Sequence, residues 1–382
     1  MAEHYAIVIA GGGPVGAALA LGLRASGHRI ALLEARAADA VLADARVIAL
    51  SYGSRLILER LGVWSALPQV TSILTITVSQ QRRFGRVELT APQAGVPALG
   101  YVVSYAALQR ALLGALAGSE VAVLNGCQAR DFTGCADGAV LSIDCAGVTR
   151  DFEAQLVALA DGGDGLQLAP LEERDYHQCA LVCDVVSDEP HQNRAYERFT
   201  PEGPLALLPT ARGWSLVWTV PTGRAGELAT LDEAAFCAKL HTSFGASLGT
   251  FRCASARQVF PLRLKFARRP LTPRVVLVGN AAQSLHPVAG QGFNLGLRDA
   301  WELASAVRTV ADPGDAATIN SYLSERRFDR TATILFTDTL IRLFSNNIPI
   351  LDRLCSAGLA ALSGIPPAKN FLVRRMMFGA RG

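Results

Sequence analysis

Gly11, Gly13 and Gly16 stand at the spacing G-x-G-x-x-G, and Glu34 closes the next apolar run. Residues of these types at this spacing hold a dinucleotide. Gly11 permits a tight turn, Gly13 lets a pyrophosphate approach bare backbone, and Gly16 lets a helix pack closely on a strand. An acid at Glu34 can accept hydrogen bonds from an adenosine ribose. A second glycine loop lies far along the chain, where Asn280, Pro287, Gly290, Gly292 and Asn294 occur within GNAAQSLHPVAGQGFNLGLRD, Gly279 to Asp299. Glycines here remove side chains, so that a flat, electron-rich ligand can lie against backbone. A helix start offers free N–H groups and the positive end of its dipole. Taken alone, the second loop is an ordinary strand-to-helix crossover. The two motifs together ask for a ligand with both a pyrophosphate and a ring.

The elements that must position these loops are legible on both sides of each. Tyr5 to Ala10 is an apolar strand, the Ala/Leu-rich stretch to about Ser26 is a helix stopped by Gly27, and Arg29 to Leu33 is a second strand. The β-branched run Val275 to Val278 predicts a buried strand ahead of the second loop. Phe293 opens a helix to about Val310, with Leu295, Leu303 and Val307 on one face.

The chain of 382 residues is long enough for two domains, and half of it is hydrophobic with only 18% charged. A net charge of +3 gives no footprint for nucleic acid. No apolar run reaches the length of about 18 residues that a membrane-spanning helix needs, and no signal-peptide pattern opens the chain. Eight cysteines are present without a CxxC pair. The expectation is free, buried thiols in a reducing cytoplasm.

Between the loops, Ser51 to Leu61 reads as a helix, and the alternation from about Thr71 to Val87 reads as strands leaving the nucleotide domain. Ser104 is a candidate N-cap for a helix through Leu116. Val121 to Cys145 reads as a three-stranded meander. Tyr176–Val186, Arg194–Phe199, Leu205–Leu208 and Trp214–Val220 read as consecutive strands, with Leu231 to Phe244 as a helix. A long helix is expected from about Ala316 to Phe344, followed by a tail that is both apolar and basic. Such a tail suits an anionic membrane surface, the protein itself or a partner.

The opening glycine motif, DARVIALS (Asp44 to Ser51), LADG (Leu159 to Gly162) and the Gly279–Asp299 segment, in that order, resemble the group A FAD-dependent aromatic hydroxylases. Within that group the chain is most similar to the ubiquinone-biosynthesis hydroxylases. AYERFTPEGPLALLP and SLVWTVP resemble the branch acting on 2-octaprenyl-6-methoxyphenol. The resemblance implies an α/β architecture, the para-hydroxybenzoate hydroxylase fold. It has a discontinuous Rossmann-like FAD-binding domain (1–70, 101–170, 272–315), an inserted mixed β-sheet substrate domain (71–100, 171–271) and a helical C-terminal segment (316–382). It also implies that Arg46 lies by the pyrophosphate, that Arg36 stacks near the adenine, and that Gln109 contacts the flavin. Asp161 would sit beside the pyrophosphate, and Asn280 would reach the ribityl hydroxyls. The family continues LADG with Ser and Arg; Gly165 and Leu168 stand here instead, which weakens a grip on NADPH at this segment.

The implied cycle uses NAD(P)H to reduce FAD and O2 to form a C4a-hydroperoxyflavin, which a prenylated phenol then attacks. No obligatory side-chain nucleophile is needed. His286 is a candidate base, with a structural role as the alternative. Other readings are a different aromatic substrate, a flavin reductase or halogenase on the same fold, or a non-catalytic FAD- or lipid-binding subunit of a ubiquinone-biosynthesis complex. A halogenase would be expected to carry a lysine near the flavin, and Ser284–Asp299 has none. The expected location is the cytoplasm, with peripheral attachment to the inner membrane.

Overall fold

The computed structural model describes residues 3–40, 44–134, 137–162, 171–267, 272–344 and 349–379. Gly165 and Leu168 lie outside the described residues, as does Cys135.

A parallel sheet forms the base of the molecule. Its order is Ala122–Asn125, Ile30–Glu34, Glu3–Ala10, Val148–Leu159 and Val275–Leu277. The central strands are apolar on both faces because helices cover one side and the strands Cys127–Gly134 and Ala139–Cys145 cover the other. Ile7, Ile9, Leu32, Leu156 and Ala158 are wholly buried. On one side the helices Pro14–Leu23, Tyr105–Leu116 and Gln291–Val307 pack together with them. The first and last approach so closely that a Cβ on Gly22 would lie 2.8 Å from the Ala304 Cβ. Ser104 caps its helix as expected, accepting from the Ala107 N–H at 3.3 Å.

The sequence places Ala122–Asn125 in a meander, whereas it runs parallel to Ile30–Glu34 at the edge of this sheet. Gly126, at φ +67°, turns the chain after it. The meander is formed instead by Cys127–Gly134, Ala139–Cys145 and the first half of Val148–Leu159.

That pairing also overturns one expectation about the cysteines. Cys127 faces Cys145 across the antiparallel pair, and the two form a disulfide. Their separation in sequence hides a register that only the hairpin creates. Cys179, Cys183, Cys237 and Cys355 are free and buried, and Cys253 is half-buried. Burial pushes the Cys183 thiol up to about 12, so it stays protonated.

A second, mixed sheet stands over the first. Its path runs Gln283–Ser284, Gln258–Ala267, Leu171–Ser187, Gly213–Pro221, Gly203–Thr210, Arg194–Thr200, Thr75–Gln80 and Arg86–Thr90. The pairing of Arg194–Thr200 with Thr75–Gln80 is parallel, and the other pairs along the path are antiparallel. One face is covered by Thr222–Thr230 and Glu233–Phe244, with Trp214, Trp218 and Phe236 between. The other face meets the C-terminal helices Ala316–Phe344, Pro349–Ser363 and Pro366–Phe378 through Phe199, Ile341, Phe344 and Leu359. A small antiparallel sheet, Val47–Ser51, Gly100–Ser104 and Val70–Ile73, joins the two layers.

Candidate flavin site

The parallel strands Glu3–Ala10, Ile30–Glu34 and Val148–Leu159 end side by side, at Ala10, Glu34 and Leu159. The crevice beyond the carboxyl ends of such strands is where open α/β sheets bind ligands. A cleft of about 580 Å³ opens there, lined by Gly11, Gly13, Glu34, Arg36, Arg46, Asp161 and Asn280 among others.

The glycine loop is shaped by backbone contacts. Gly11 sits at φ +115°, and a Cβ there would lie 2.5 Å from the Ala160 carbonyl oxygen. A Cβ on Gly16 would fall 1.9 Å from the Gly11 oxygen, so this glycine lies behind the loop and allows it to close on the helix. A Cβ on Gly13 would meet nothing within 4 Å. Gly13 therefore leaves room toward the cleft, and it caps the helix Pro14–Leu23 whose positive end points the same way.

Charged side chains frame this cleft. Burial opposes ionisation of Glu34, but the side-chain and backbone hydrogen bonds from Arg36 prevail, so the carboxyl sits below its usual range. The guanidinium of Arg36 grips both carboxylate oxygens, at 2.9 and 2.7 Å. Arg46 makes the same forked contact with Asp44. It lies 5.3 Å from the ring centroids of both Tyr105 and Phe260. Forked geometry suits Arg46 equally to phosphate oxygens.

The second loop lines a different space, an apolar cavity of about 860 Å³ between the mixed sheet and the C-terminal helices. Pro287, Gly290 and Gly292 are on its wall. Ala289 (φ 58°, ψ 12°) and Gly290 (φ 59°, ψ 28°) are successive left-handed residues, which turn the chain sharply into Gln291–Val307. An alanine in that region is strained by about 1 kcal/mol. A Cβ on Gly292 would meet nothing within 4 Å.

The cleft and the cavity adjoin. Arg46, Val47, Ile48, Asn280 and Phe293 line both. One extended ligand can therefore reach from the Gly11–Gly16 cradle to the Gly290–Gly292 backbone.

A family model described as an FAD binding domain matches residues 4–336. The chain belongs to that FAD-binding family. It is 33% identical to the ubiquinone hydroxylase UbiL of Rhodospirillum rubrum over 97% of this chain and 89% of the relative. It is 30% identical to the 3-demethoxyubiquinol 3-hydroxylase of Escherichia coli, covering 93% and 94%. The crystal structure of p-nitrophenol 4-monooxygenase PnpA from Pseudomonas putida superposes with a TM-score of 0.80 over the whole of both chains, at 16% identity, which bears on fold. The protein is an FAD-dependent monooxygenase with the para-hydroxybenzoate hydroxylase fold.

The residues present fit FAD. Gly13 leaves its cradle unfilled, the positive end of a helix faces the phosphate region, and an apolar cavity with a bare backbone wall adjoins it. Gly16 packs helix against strand behind the loop, the role its place in the motif implies. Two expected site residues face inward instead. Gln109 is fully buried against the loop's back, where its Nε2 donates to the Gly12 carbonyl. Its Oε1 has no partner among the described residues. The Asn294 side chain has all four of its hydrogen bonds within the protein. Oδ1 accepts from the Ser51 N–H at 2.8 Å and the Ser54 hydroxyl at 2.6 Å. Nδ2 donates to the Ala49 and Gly290 carbonyls at 3.0 and 2.7 Å. That side chain fastens the loop and has no bond left for a cofactor.

His286 is buried and turned away from both spaces. It meets the Tyr176 ring edge-on at 5.3 Å, and its Nδ1 accepts from the Val288 N–H at 3.2 Å. Burial pushes its imidazole down to about 4. Both facts make it a structural histidine.

Asp299, at the end of the Gly279–Asp299 segment, has a role that its neighbours in sequence do not suggest. It is buried, and one oxygen accepts from the Gly279 N–H at 3.2 Å and from Gln283 Nε2 at 2.7 Å. Its other oxygen accepts from Arg326 Nε at 2.7 Å. Asp299 thereby pins the turn carrying Asn280 to the long C-terminal helix.

Proposed function

We propose that this protein hydroxylates the ring of a prenylated phenol in ubiquinone biosynthesis, of the 2-octaprenyl-6-methoxyphenol type. The reading rests above all on an apolar cavity of about 860 Å³ that adjoins the glycine cleft and shares Asn280 and Phe293 with it. The named relatives, which include a ubiquinone hydroxylase and a 3-demethoxyubiquinol 3-hydroxylase, support it. Bound FAD would supply oxygen activation after reduction, with NAD(P)H as the reductant and O2 as the oxidant.

The chain's own residues bind, orient and exclude water. Gly11, Gly13 and Arg46 would hold the pyrophosphate with Asp161 beside it, Glu34 and Arg36 the adenosine end, and Asn280 the ribityl chain. Pro287, Gly290 and Gly292 would lie against the ring, with the helix Gln291–Val307 directing its positive end there. Ile73, Leu89, Leu208 and Phe344 wall the cavity and keep it dry, so that the activated oxygen meets the substrate ring rather than water. In this reading 71–100 and 171–271 serve as the substrate unit, 1–70, 101–170 and 272–315 as the FAD unit, and 316–382 as a cover.

A membrane surface is the proposed source of the substrate. Among the described residues no helix is long and apolar enough to cross a membrane. The C-terminal helices nevertheless expose Phe328, Leu335, Leu354 and Phe371, and Leu354 also lines the cavity. Arg374 and Arg375 lie on the last helix. An apolar mouth beside basic residues suits an anionic lipid surface.

Purified protein given NADPH, oxygen and a short-chain 2-prenyl-6-methoxyphenol tests the reading. The expected result is a product carrying one added oxygen atom. Oxygen uptake that the phenol leaves unchanged, ending wholly in peroxide, would overturn it.

A further inference from the structure

The apolar cavity contains one carboxylate among its described lining residues, Glu197. It lies on the strand Arg194–Thr200, where Ala195 and Phe199 share its face. Across the sheet its register neighbours are Val78 and Ala206, with Val217 one strand further on. All three line the cavity and none offers a polar group. The helices opposite contribute Phe336, Leu340 and Leu359. Of its chain neighbours, Tyr196 packs on Trp214 and Phe244, and Arg198 lies over Phe244.

A charged group in such a place needs a reason. An ionised carboxylate without a counter-charge or hydrogen bond is costly in an apolar environment. No structural duty for Glu197 is visible. The remaining titratable groups of the cavity are Arg46, engaged by Asp44, Tyr196, and Cys355, whose thiol donates to the Leu343 carbonyl. Arg194 pairs with Glu88 instead. Val78 and Ala206 are small enough beside it to leave an aromatic ring room to approach.

Resting on the reading above, we propose that Glu197 is a catalytic residue that binds the substrate's phenolic hydroxyl and takes its proton. The phenol O–H bond breaks, its electron pair stays on the phenol oxygen, and the proton passes to the Glu197 carboxylate. The electron-rich ring that results is the better nucleophile toward activated oxygen. The proton leaves to solvent when product departs. Glu197 is half-buried, and its apolar surroundings push the carboxyl up to about 8 with no neighbouring charge contributing. A carboxylate so raised is a far stronger base than an exposed glutamate and is matched to work near neutral pH.

The test uses the full-length FAD-bound protein and two variants, Glu197→Gln and Glu197→Leu. Retained flavin absorbance checks that each folds. The first readout is hydroxylation of the short-chain prenyl-methoxyphenol against pH. Wild-type rates should rise through about pH 8, and Glu197→Gln should lose roughly 100-fold together with that limb. The second readout is binding without turnover, followed by the change in flavin absorbance. Wild type should prefer 2-prenylphenol over its O-methyl ether by roughly 10-fold, and Glu197→Leu should show no preference.

Binding preference in wild type that vanishes in Glu197→Leu supports the assignment even where no hydroxylation occurs, and then only the wider functional reading fails. Hydroxylation by wild type with Glu197→Gln equally active and no preference lost overturns the assignment and leaves that reading intact. Absence of both activity and preference removes both.

Discussion

The carboxamide of Asn294 ties the second glycine loop to Ser51, more than two hundred residues earlier in the chain. It joins the first turn of Gln291–Val307 to the end of the strand Val47–Ser51 and, through Ser54, to the start of the next helix. The loop that would receive the flavin ring is thus fixed by a helix residue beneath it. Asn294→Leu leaves the Ser51 N–H and the Ala49 and Gly290 carbonyls without this partner in a buried place. Unsatisfied groups of this kind cost about 1–3 kcal/mol each. The variant should unfold at markedly lower urea and hold FAD weakly. Asn294→Asp still accepts from Ser51 and Ser54 but turns a carboxylate oxygen toward the Ala49 and Gly290 carbonyls, so it should lose stability as well. Equal midpoints for both variants and wild type would contradict this arrangement.

The two inner glycines of the first loop should behave differently. A methyl on Gly16 collides with the Gly11 carbonyl, whereas one on Gly13 enters open space. Gly13→Ala should therefore fold with a near-normal melting temperature but lose its yellow colour on dilution. Gly16→Ala should be destabilised as apoprotein as well. Comparing thermal unfolding of the flavin-free proteins with their flavin affinity separates packing from ligand approach.

Asp299 and Arg326 form a buried pair, and Arg326 also meets Glu302 at 3.2 Å and Asp329 at 2.9 Å. Breaking a buried pair that leaves its partner's charge alone costs about 3–5 kcal/mol. Asp299→Ala, which leaves Arg326 two carboxylates, should lose less than that in denaturant titrations. Asp299→Asn keeps an acceptor for the Gly279 N–H and should lose less. Because the same carboxylate anchors the turn at Asn280, both variants should release FAD faster than their stability alone accounts for. A flavin dissociation rate equal to wild type would show that the turn does not depend on Asp299.

The disulfide is open to a direct count. Alkylation of the unfolded, unreduced protein should label two fewer thiols than alkylation after reduction, and peptide mapping should assign the difference to Cys127 and Cys145. In the entropic account a loop of this size contributes about 3 kcal/mol, so reductant should lower the melting temperature. Full labelling without reductant would refute the bond.

What could be read in advance follows from how local each signal is. The Gly11–Gly16 cradle, its strand and its helix lie within one short stretch, so their geometry is written in adjacent residues. The helix Ala316–Phe344 announced itself over its whole length. The duties of Asn294, Gln109 and Asp299 depend on Ser51, Gly12 and Arg326, partners that the fold alone brings together. The same holds for the Cys127–Cys145 register. Glu197 sat within a stretch read as a strand and for its likeness to a family, with no role given to its carboxyl. Its isolation becomes visible once Val78, Ala206 and Val217 are placed beside it across the sheet.

His286 supplies a pH test of the same loop. Its imidazole is held near 4 by burial, while an unfolded histidine titrates near 6.5. Between those values the unfolded chain binds a proton that the native protein refuses, so acidification favours unfolding. The contribution is complete above about pH 6.5 and shrinks by roughly 3 kcal/mol as pH falls through 4. His286→Asn retains an acceptor for the Val288 N–H but cannot titrate. Its stability relative to wild type should therefore improve steadily as pH falls from 6.5 to 4 in urea titrations. A constant difference across that range would mean that His286 is not held neutral. Hydroxylation by His286→Asn should stay within a few-fold of wild type at neutral pH, because the ring lines neither the cleft nor the cavity. A loss of 100-fold or more, the scale expected for a missing general base, would restore to His286 the catalytic role that its position denies it.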